Sequence, residues 1–84
     1  MAKSSKFRGV AWHISAKRWR AKVRRKGHDY HLGYYADEET AARVYDVAAR
    51  RLHGTDAILN FDGRSPVDVT EAEIVRRLIV AGAL

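Results

Sequence analysis

Residues 18–25 read Arg-Trp-Arg-Ala-Lys-Val-Arg-Arg and alternate between cationic and apolar side chains up to the final arginine. Successive side chains of a β-strand point to opposite faces, so a strand over this run has one cationic and one apolar face. The apolar face needs a core, whereas the cationic face needs an anion. Because a strand rises roughly 3.3 Å per residue, neighbouring charges stand about 6.6 Å apart, similar to the phosphate spacing along a nucleic-acid strand. The run therefore predicts a sheet with one face toward nucleic acid.

The charge of the chain is divided unevenly along its length. Residues 1–35 contain ten lysines and arginines against one aspartate, a net charge of +9, whereas residues 36–84 carry a net charge of −3. One basic surface on an otherwise ordinary scaffold is typical of a protein that meets a polyanion. A basic run that is merely solvated is the alternative, and the alternation with apolar residues argues against it.

Several classes of protein are excluded by composition. A chain of 84 residues forms at most one small domain, and the absence of cysteine excludes disulfides and thiolate metal sites. No run approaches the roughly 20 apolar residues of a membrane span, and the N-terminus lacks the apolar segment of a signal peptide. His28 and His31 lie three apart on a strand and face opposite sides, so they predict no metal site. We expect an intracellular protein with no cofactor, no metal, no small-molecule substrate, no membrane partner and no catalysis.

Two hairpins extend the strand into a three-stranded antiparallel sheet. Lys26-Gly27 suits a two-residue turn after the strand over residues 18–25, and residues 14–17 form the loop that leads into this strand. The predicted pairs of the second hairpin are Arg25 with His28, Arg24 with Asp29, Val23 with Tyr30, Lys22 with His31 and Ala21 with Leu32. Those of the first hairpin are His13 with Arg18, Trp12 with Trp19, Ala11 with Arg20, Val10 with Ala21 and Gly9 with Lys22. Both registers keep the apolar side chains on one face, and a one-residue slip in either would destroy this agreement.

Two helices are predicted beyond the sheet. The first covers residues 38–53, with Asp37 as its N-cap, acidic residues in its first turn and Gly54 at its end. Its apolar positions form one stripe that suits the apolar face of the sheet: Ala41, Tyr45, Ala48 and Leu52. The second begins after Thr70, which forms a capping box with Glu73, and ends at Gly82. It either packs on the domain or provides a self-association surface over residues 70–81. The fold class is α+β: a three-stranded antiparallel sheet packed on one long α-helix, with a short additional C-terminal helix.

Five segments of the chain resemble those of a known family. They are residues 7–10 (Phe-Arg-Gly-Val), 18–23, 30–35 (Tyr-His-Leu-Gly-Tyr-Tyr), 39–49 and 59–61 (Leu-Asn-Phe). In this order and at this spacing they are similar to the Apetala-two/ethylene-response-factor (AP2/ERF) DNA-binding domain of plants. The resemblance covers about residues 6–62. It leaves residues 1–5 as a flexible basic tail and residues 63–84 as a linker and a C-terminal amphipathic helix.

The resemblance implies a transcription factor that binds double-stranded DNA sequence-specifically, with its sheet in the major groove. A nuclear location follows in a eukaryote, and a nucleoid-associated cytoplasmic one otherwise. Carried over position by position, it implies DNA contacts from Arg8, Gly9, Ala11, His13, Lys22, Arg24 and His31, with Tyr34 and Tyr45 at positions that touch the DNA backbone. Arg18 and Arg20 join this set because they share the cationic face. Strict alternation puts Arg8 on the helix side instead, and a twist or bulge near Gly9 would reconcile the two predictions.

Departures from the family pattern shift the expected target. Ala11 and His13 stand where the ethylene-response branch often has arginines, so its usual GC-rich target is not expected. Lys22 replaces a glutamate common in that branch, and His31 replaces a tryptophan common in the family. We expect Lys22 and Arg24 to read bases and Arg18 and Arg20 to bind phosphates. Asp29, opposite Arg24, is predicted to orient that arginine rather than to read cytosine.

Two other functions remain open from the sequence. The chain could be the DNA-targeting module of a mobile-element endonuclease or integrase, whose catalytic part would lie elsewhere. It could also bind RNA or single strands, although the predicted inward orientation of the aromatic residues disfavours this.

Overall fold

The predicted α+β fold is confirmed. The computed structural model describes residues 5–66 and 68–84. In chain order it contains β1 (Val10–His13), β2 (Arg18–Arg25), β3 (His28–Tyr35), α1 (Glu38–His53), a short 3₁₀ turn (Gly54–Asp56) and α2 (Glu71–Ala81). The three strands form one antiparallel sheet in the order β1-β2-β3. The predicted tail over residues 1–5 lies outside the described residues except for Ser5, whose hydroxyl donates a 2.6 Å hydrogen bond to Glu38.

The first hairpin has the predicted register. The observed pairs are Val10 with Ala21, Ala11 with Arg20, Trp12 with Trp19 and His13 with Arg18. The two indole rings pack edge to face with their centroids 5.1 Å apart. Beyond the strand, the Lys22 N–H donates a 2.8 Å hydrogen bond to the Gly9 carbonyl, as the predicted pairing of these two residues requires.

The second hairpin departs from the predicted register at one point. The pairs from Arg25 with His28 to Lys22 with His31 are confirmed, but Ala21 pairs with Gly33, so the predicted pair of Ala21 with Leu32 is wrong. A β-bulge makes Leu32 an extra residue on β3. The alternating sequence pattern does not reveal it, because Leu32 is apolar and fully buried in either register.

Two residues of β3 support the bulge. Gly33 has a φ of +114°, a backbone conformation that an L side chain rarely adopts. The Tyr35 hydroxyl donates a buried 2.6 Å hydrogen bond to the Leu32 carbonyl. This bond satisfies a buried acceptor at the point where the pairing is irregular.

Helix α1 has the predicted limits and packs on the sheet. Asp37 caps it by accepting a 3.1 Å hydrogen bond from the Thr40 N–H, and the Gly54 N–H bonds the Arg50 carbonyl at its end. Its small buried side chains allow the helix backbone to approach the sheet closely: Ala41, Ala42, Ala48 and Ala49. The resulting core also contains Val10, Ala21, Val23, Leu32, Tyr35, Val44, Val47 and Leu52.

Helix α2 is part of the same core. Thr70 caps it by accepting a 3.2 Å hydrogen bond from the Glu73 N–H, as the capping box predicts. Ile74 and Leu78 are fully buried, and the helix contacts both β3 and α1. Ile79 and Val80 remain exposed. The predicted packing role is therefore confirmed, whereas self-association stays a prediction.

None of the helices in the described part of the chain is long and apolar enough to cross a membrane.

Candidate nucleic-acid interface

The cationic side chains of β2 lie on the sheet face opposite α1. Ala21 and Val23 are buried beneath the helix, so the alternate side chains point the other way. Arg18 and Arg24 at the ends of the strand are exposed, and Arg20 and Lys22 at its centre are half-buried. The sheet thus presents a continuous row of four cations to its surroundings. We call this surface, with its neighbours on β1 and β3, the cationic face.

Neighbouring strands flank this row. The predicted residues that share the cationic face are Ala11 and His13 on β1, Arg18, Arg20, Lys22 and Arg24 on β2, and His31 and Tyr34 on β3. Ala11 and Tyr34 lie on either side of Arg20, and His31 lies opposite Lys22. The structure therefore brings together most of the site residues predicted from the sequence.

Tyr34 reaches the cationic face because of the β-bulge. Without the bulge, Tyr34 would share the buried face with Leu32, two residues before it. With it, Tyr34 pairs with Arg20 and its side chain is 46% exposed, while Tyr35 is buried opposite Trp19. The ring of Tyr34 packs against that of His13 with centroids 4.9 Å apart. One irregular residue thus exchanges the faces of two tyrosines.

His13 is held in one tautomer by the β1–β2 loop. Its Nδ1 accepts a 3.0 Å hydrogen bond from the Ala16 N–H. The neutral ring therefore carries its proton on Nε2, the nitrogen left available to a ligand. His13 is a hydrogen-bond donor on this face even without a positive charge.

Asp29 forms ion pairs with two cations of β2, Lys22 near the centre of the strand and Arg24 near its end. Its carboxylate lies 3.8 Å from Arg24, as the predicted pairing requires, and 3.4 Å from Lys22 on the diagonal. All three side chains are partly solvent-exposed, so these ion pairs contribute little to stability. Their consequence is positional, since the carboxylate restrains two cations that otherwise have long flexible stems.

Arg20 contains an unsatisfied group at the centre of the cationic face. Its Nε is buried and makes no hydrogen bond to any residue in the described part of the chain. A buried donor without a partner costs about 1–3 kcal/mol.

Arg8 and Gly9 lie outside the strand alternation. Strand β1 begins only at Val10, and Gly9 has a φ of +78°. The side chain of Arg8 is exposed, while its backbone is held by Asn60: the Arg8 N–H donates to Asn60 Oδ1 at 2.7 Å, and Asn60 Nδ2 donates to the Arg8 carbonyl at 2.9 Å. The turn at Gly9 therefore removes the conflict between the alternation and the family resemblance.

Tyr45 comes from α1, behind the sheet, and its ring packs on Gly9. A Cβ added to Gly9 would lie 2.1 Å from the Tyr45 ring, so only glycine fits there. Burial raises the pKa of the Tyr45 hydroxyl above its ordinary value, and the nearby Arg8 lowers it in part. The hydroxyl therefore stays protonated at neutral pH, beside a guanidinium group. Tyr45 does not share the cationic face, and its DNA contact stays a prediction.

Asp46 is a functional support that the sequence reading missed. It is fully buried in α1, and its two carboxylate oxygens accept 2.7 Å hydrogen bonds from the backbone N–H groups of Asn60 and Phe61. Asp46 thus holds Asn60, and Asn60 holds Arg8. The available signal was an acidic residue in the midst of the apolar run of α1, because a buried carboxylate requires specific partners.

No protein-family model matches this chain. Individual relatives do. An AP2-like ethylene-responsive transcription factor of Arabidopsis thaliana is 48% identical over 60 residues, covering 69% of this chain and 17% of that protein. The AP2/ERF and B3 domain-containing transcription repressor TEM1 of Arabidopsis thaliana is 43% identical over 70 residues, covering 83% of this chain and 19% of that protein. The ethylene-responsive transcription factor WRI1 of the same plant is 44% identical over 66 residues, covering 76% of this chain and 15% of that protein.

These relatives are much longer than the region they share. The chain spans less than a fifth of the length of each. The match covers most of the chain, and the sheet-and-helix fold is the one that the resemblance implied. The chain belongs to the AP2/ERF domain family.

Proposed function

We propose that this chain binds double-stranded DNA sequence-specifically as the DNA-binding part of a transcription regulator, and that it performs no catalysis. The carrying observation is the cationic face, on which Arg18, Arg20, Lys22 and Arg24 form one row opposite the helix. A small sheet of this kind can enter the major groove, where arginine and lysine donate to guanine O6 and N7. The names of the relatives, which are transcription factors and a repressor of a plant, support the regulatory role and a nuclear location.

The side chains of the cationic face divide into base readers and phosphate binders. Lys22 and Arg24 read bases, because Asp29 restrains both of them and a restrained donor discriminates between acceptors. Arg18 and Arg20 bind phosphates. Contacts to phosphate fix the register of the protein on the duplex without reading its sequence.

The residues that flank the row of cations differ in the hydrogen bonds that they can make to DNA. His13 donates through Nε2, and His31 lies beside Lys22 within reach of the same base pairs. Ala11 offers only a methyl group, which suits the methyl of thymine. The DNA backbone is contacted by Arg8, which supplies a positive charge, and by Gly9, Tyr34 and Tyr45.

The salt dependence of duplex binding tests the electrostatic part of the proposal. If about five phosphates are neutralised, log affinity falls against log salt with a slope near −4.5. A slope near zero would contradict the proposal. A stronger preference for single-stranded DNA or RNA in competition would do so as well.

Selection from a random duplex library tests the base readers. Arg24→Ala should cost about 1–3 kcal/mol of binding and relax the preference at one base pair, if Arg24 makes a bidentate guanine contact. Arg64→Ala is the matched control, because Arg64 is also largely exposed and lies outside the cationic face. An unchanged base preference in Arg24→Ala would remove Arg24 from the base readers.

The role of Asp29 has its own test. Asp29→Asn removes the charge that restrains Lys22 and Arg24, so we expect a modest loss of affinity with the same base preference. The measurement is binding to a panel of single base-pair substitutions. A preference changed at one base pair only would instead identify Asp29 as a reader of cytosine.

Two other roles from the sequence stay predictions. A DNA-targeting module of a mobile-element endonuclease or integrase is not supported by relatives that are named transcription factors, and the neighbouring sequence would test it directly. Self-association through residues 70–81 would use the exposed Ile79 and Val80. A sedimentation mass that stays monomeric at high concentration would refute it.

A further inference from the structure

A second cationic site lies beside β3, outside the cationic face. A groove of about 450 Å³ runs between this edge strand and α2, and its lining residues are His31, Glu73, Arg76, Arg77, Val80 and Ala81. Arg76 and Arg77 are exposed, and neither forms an ion pair with the part of the chain that the structure describes. By contrast, each arginine among Arg43, Arg51 and Arg64 pairs with a carboxylate. The α2 arginines therefore keep their charge available for an external anion.

The two sites are continuous. His31 pairs with Lys22 on the cationic face and also lines the groove. Arg77 crosses the edge of β3 at Gly33, where an added Cβ would lie 2.8 Å from its Nη1 atom. The glycine of the β-bulge thus leaves the space that lets α2 bring a guanidinium group to the rim of the sheet.

The width of the sheet indicates which anion this rim meets. Neighbouring strands lie about 4.8 Å apart, so three strands span about 10 Å, whereas the major groove is about 12 Å wide. A sheet that occupies the groove therefore fills it from wall to wall. A group beyond β3 meets the phosphate wall of the groove and not its bases.

We propose that Arg76 and Arg77 form a second DNA-binding site, which takes backbone phosphates flanking the base pairs read by the sheet. This inference rests on the proposed function. Helix α2 then has two roles, since Ile74 and Leu78 complete the core while the arginines extend the footprint on the duplex. The site adds affinity and orientation without adding base preference.

The test compares two double variants that remove the same charge. R76Q/R77Q neutralises the proposed site. R50Q/R64Q is the matched control, because these exposed arginines line a different cleft between α1 and residues 63–65. Duplex affinity is measured from 50 to 200 mM salt for the wild type and both variants, after a thermal melt has established that each is folded.

We expect the slope of log affinity against log salt to be shallower by about 1.8 in R76Q/R77Q than in the wild type, because each phosphate contact contributes about 0.9. Over this fourfold change in salt, the variant then loses about 12-fold less affinity than the wild type. R50Q/R64Q keeps the wild-type slope. An unchanged slope in R76Q/R77Q, or an equal reduction in both variants, overturns the inference while leaving the proposed function intact. A wild type that binds no duplex refutes both.

A scan with neutral methylphosphonates locates the contact independently. We expect one or two phosphates outside the selected base pairs at which substitution weakens the wild type but not R76Q/R77Q. A scan in which both proteins respond identically at every position would overturn the inference. So would a sedimentation mass that rises with concentration in the wild type and stays monomeric in R76Q/R77Q, because the groove would then hold a second copy of the chain.

Discussion

Replacing Asp46 with asparagine tests how α1 holds the segment that carries Arg8. Both oxygens of the buried Asp46 carboxylate accept 2.7 Å hydrogen bonds, from the N–H groups of Asn60 and Phe61. An amide keeps one acceptor but turns a donor toward the other N–H group. The variant therefore loses one charge-assisted hydrogen bond and leaves a buried donor without a partner.

The expected cost is a large share of the total stability. A hydrogen bond to a charged group contributes about 1.5–3 kcal/mol, and an unsatisfied buried donor costs about 1–3 kcal/mol, which overlaps with the first figure. We expect Asp46→Asn to lower the free energy of unfolding by about 3 kcal/mol. A domain of this length has about 4–13 kcal/mol in all.

Urea unfolding followed by tryptophan fluorescence measures the loss. With a urea dependence of about 1–1.5 kcal/mol per M, the midpoint should fall by about 2–3 M. Asp56→Asn is the control, because Asp56 is exposed in the 3₁₀ turn and undergoes the same chemical change. A loss below about 1 kcal/mol, or one equal to that of the control, would refute the reasoning that Asp46 anchors residues 60 and 61.

Three further predictions concern β3 and α2. Gly33→Ala should destabilise the fold by about 1–3 kcal/mol, since φ is +114° and an added Cβ would lie 3.1 Å from the Tyr35 hydroxyl; an unchanged melting temperature would contradict this. Burial raises the pKa of Tyr35, so the stability that its neutral hydroxyl provides is complete below pH 10 and is lost as the pH rises through the raised pKa. In unfolding experiments, Tyr35→Phe should therefore reduce the loss of unfolding free energy at alkaline pH. An unchanged pH profile would count against this role of Tyr35. Leu78→Ala should cost about 2–5 kcal/mol because Leu78 is fully buried, whereas Val80→Ala, at a position 82% exposed, should cost little; similar costs would refute the packing of α2.

Local patterns predicted most elements of this fold. The limits of α1 follow from Asp37 and Gly54, because a capping carboxylate and a terminal glycine act within one turn of the helix. The register of β1 on β2 follows from matching apolar faces at a short loop. Both arguments use interactions between near neighbours in the chain, which a sequence displays directly.

The bulge and the Asp46 anchor escaped prediction for a common reason. At Leu32 the two registers bury the same apolar side chain, so hydrophobic alternation could not distinguish them. Asp46 meets its partners fourteen and fifteen residues later, in a segment without regular structure. Neither feature has a signature in periodicity.

The sequence alone therefore determined a two-faced sheet with a cationic row, because alternation along β2 is a local consequence of strand geometry. Only the tertiary structure decided which residues join that row at its rims. The bulge brings Tyr34 to the cationic face, the turn at Gly9 frees Arg8 from the alternation, and α2 carries Arg77 to the edge of β3. Each of these placements depends on contacts between segments far apart in the chain, whose geometry is set by packing and not by local pattern.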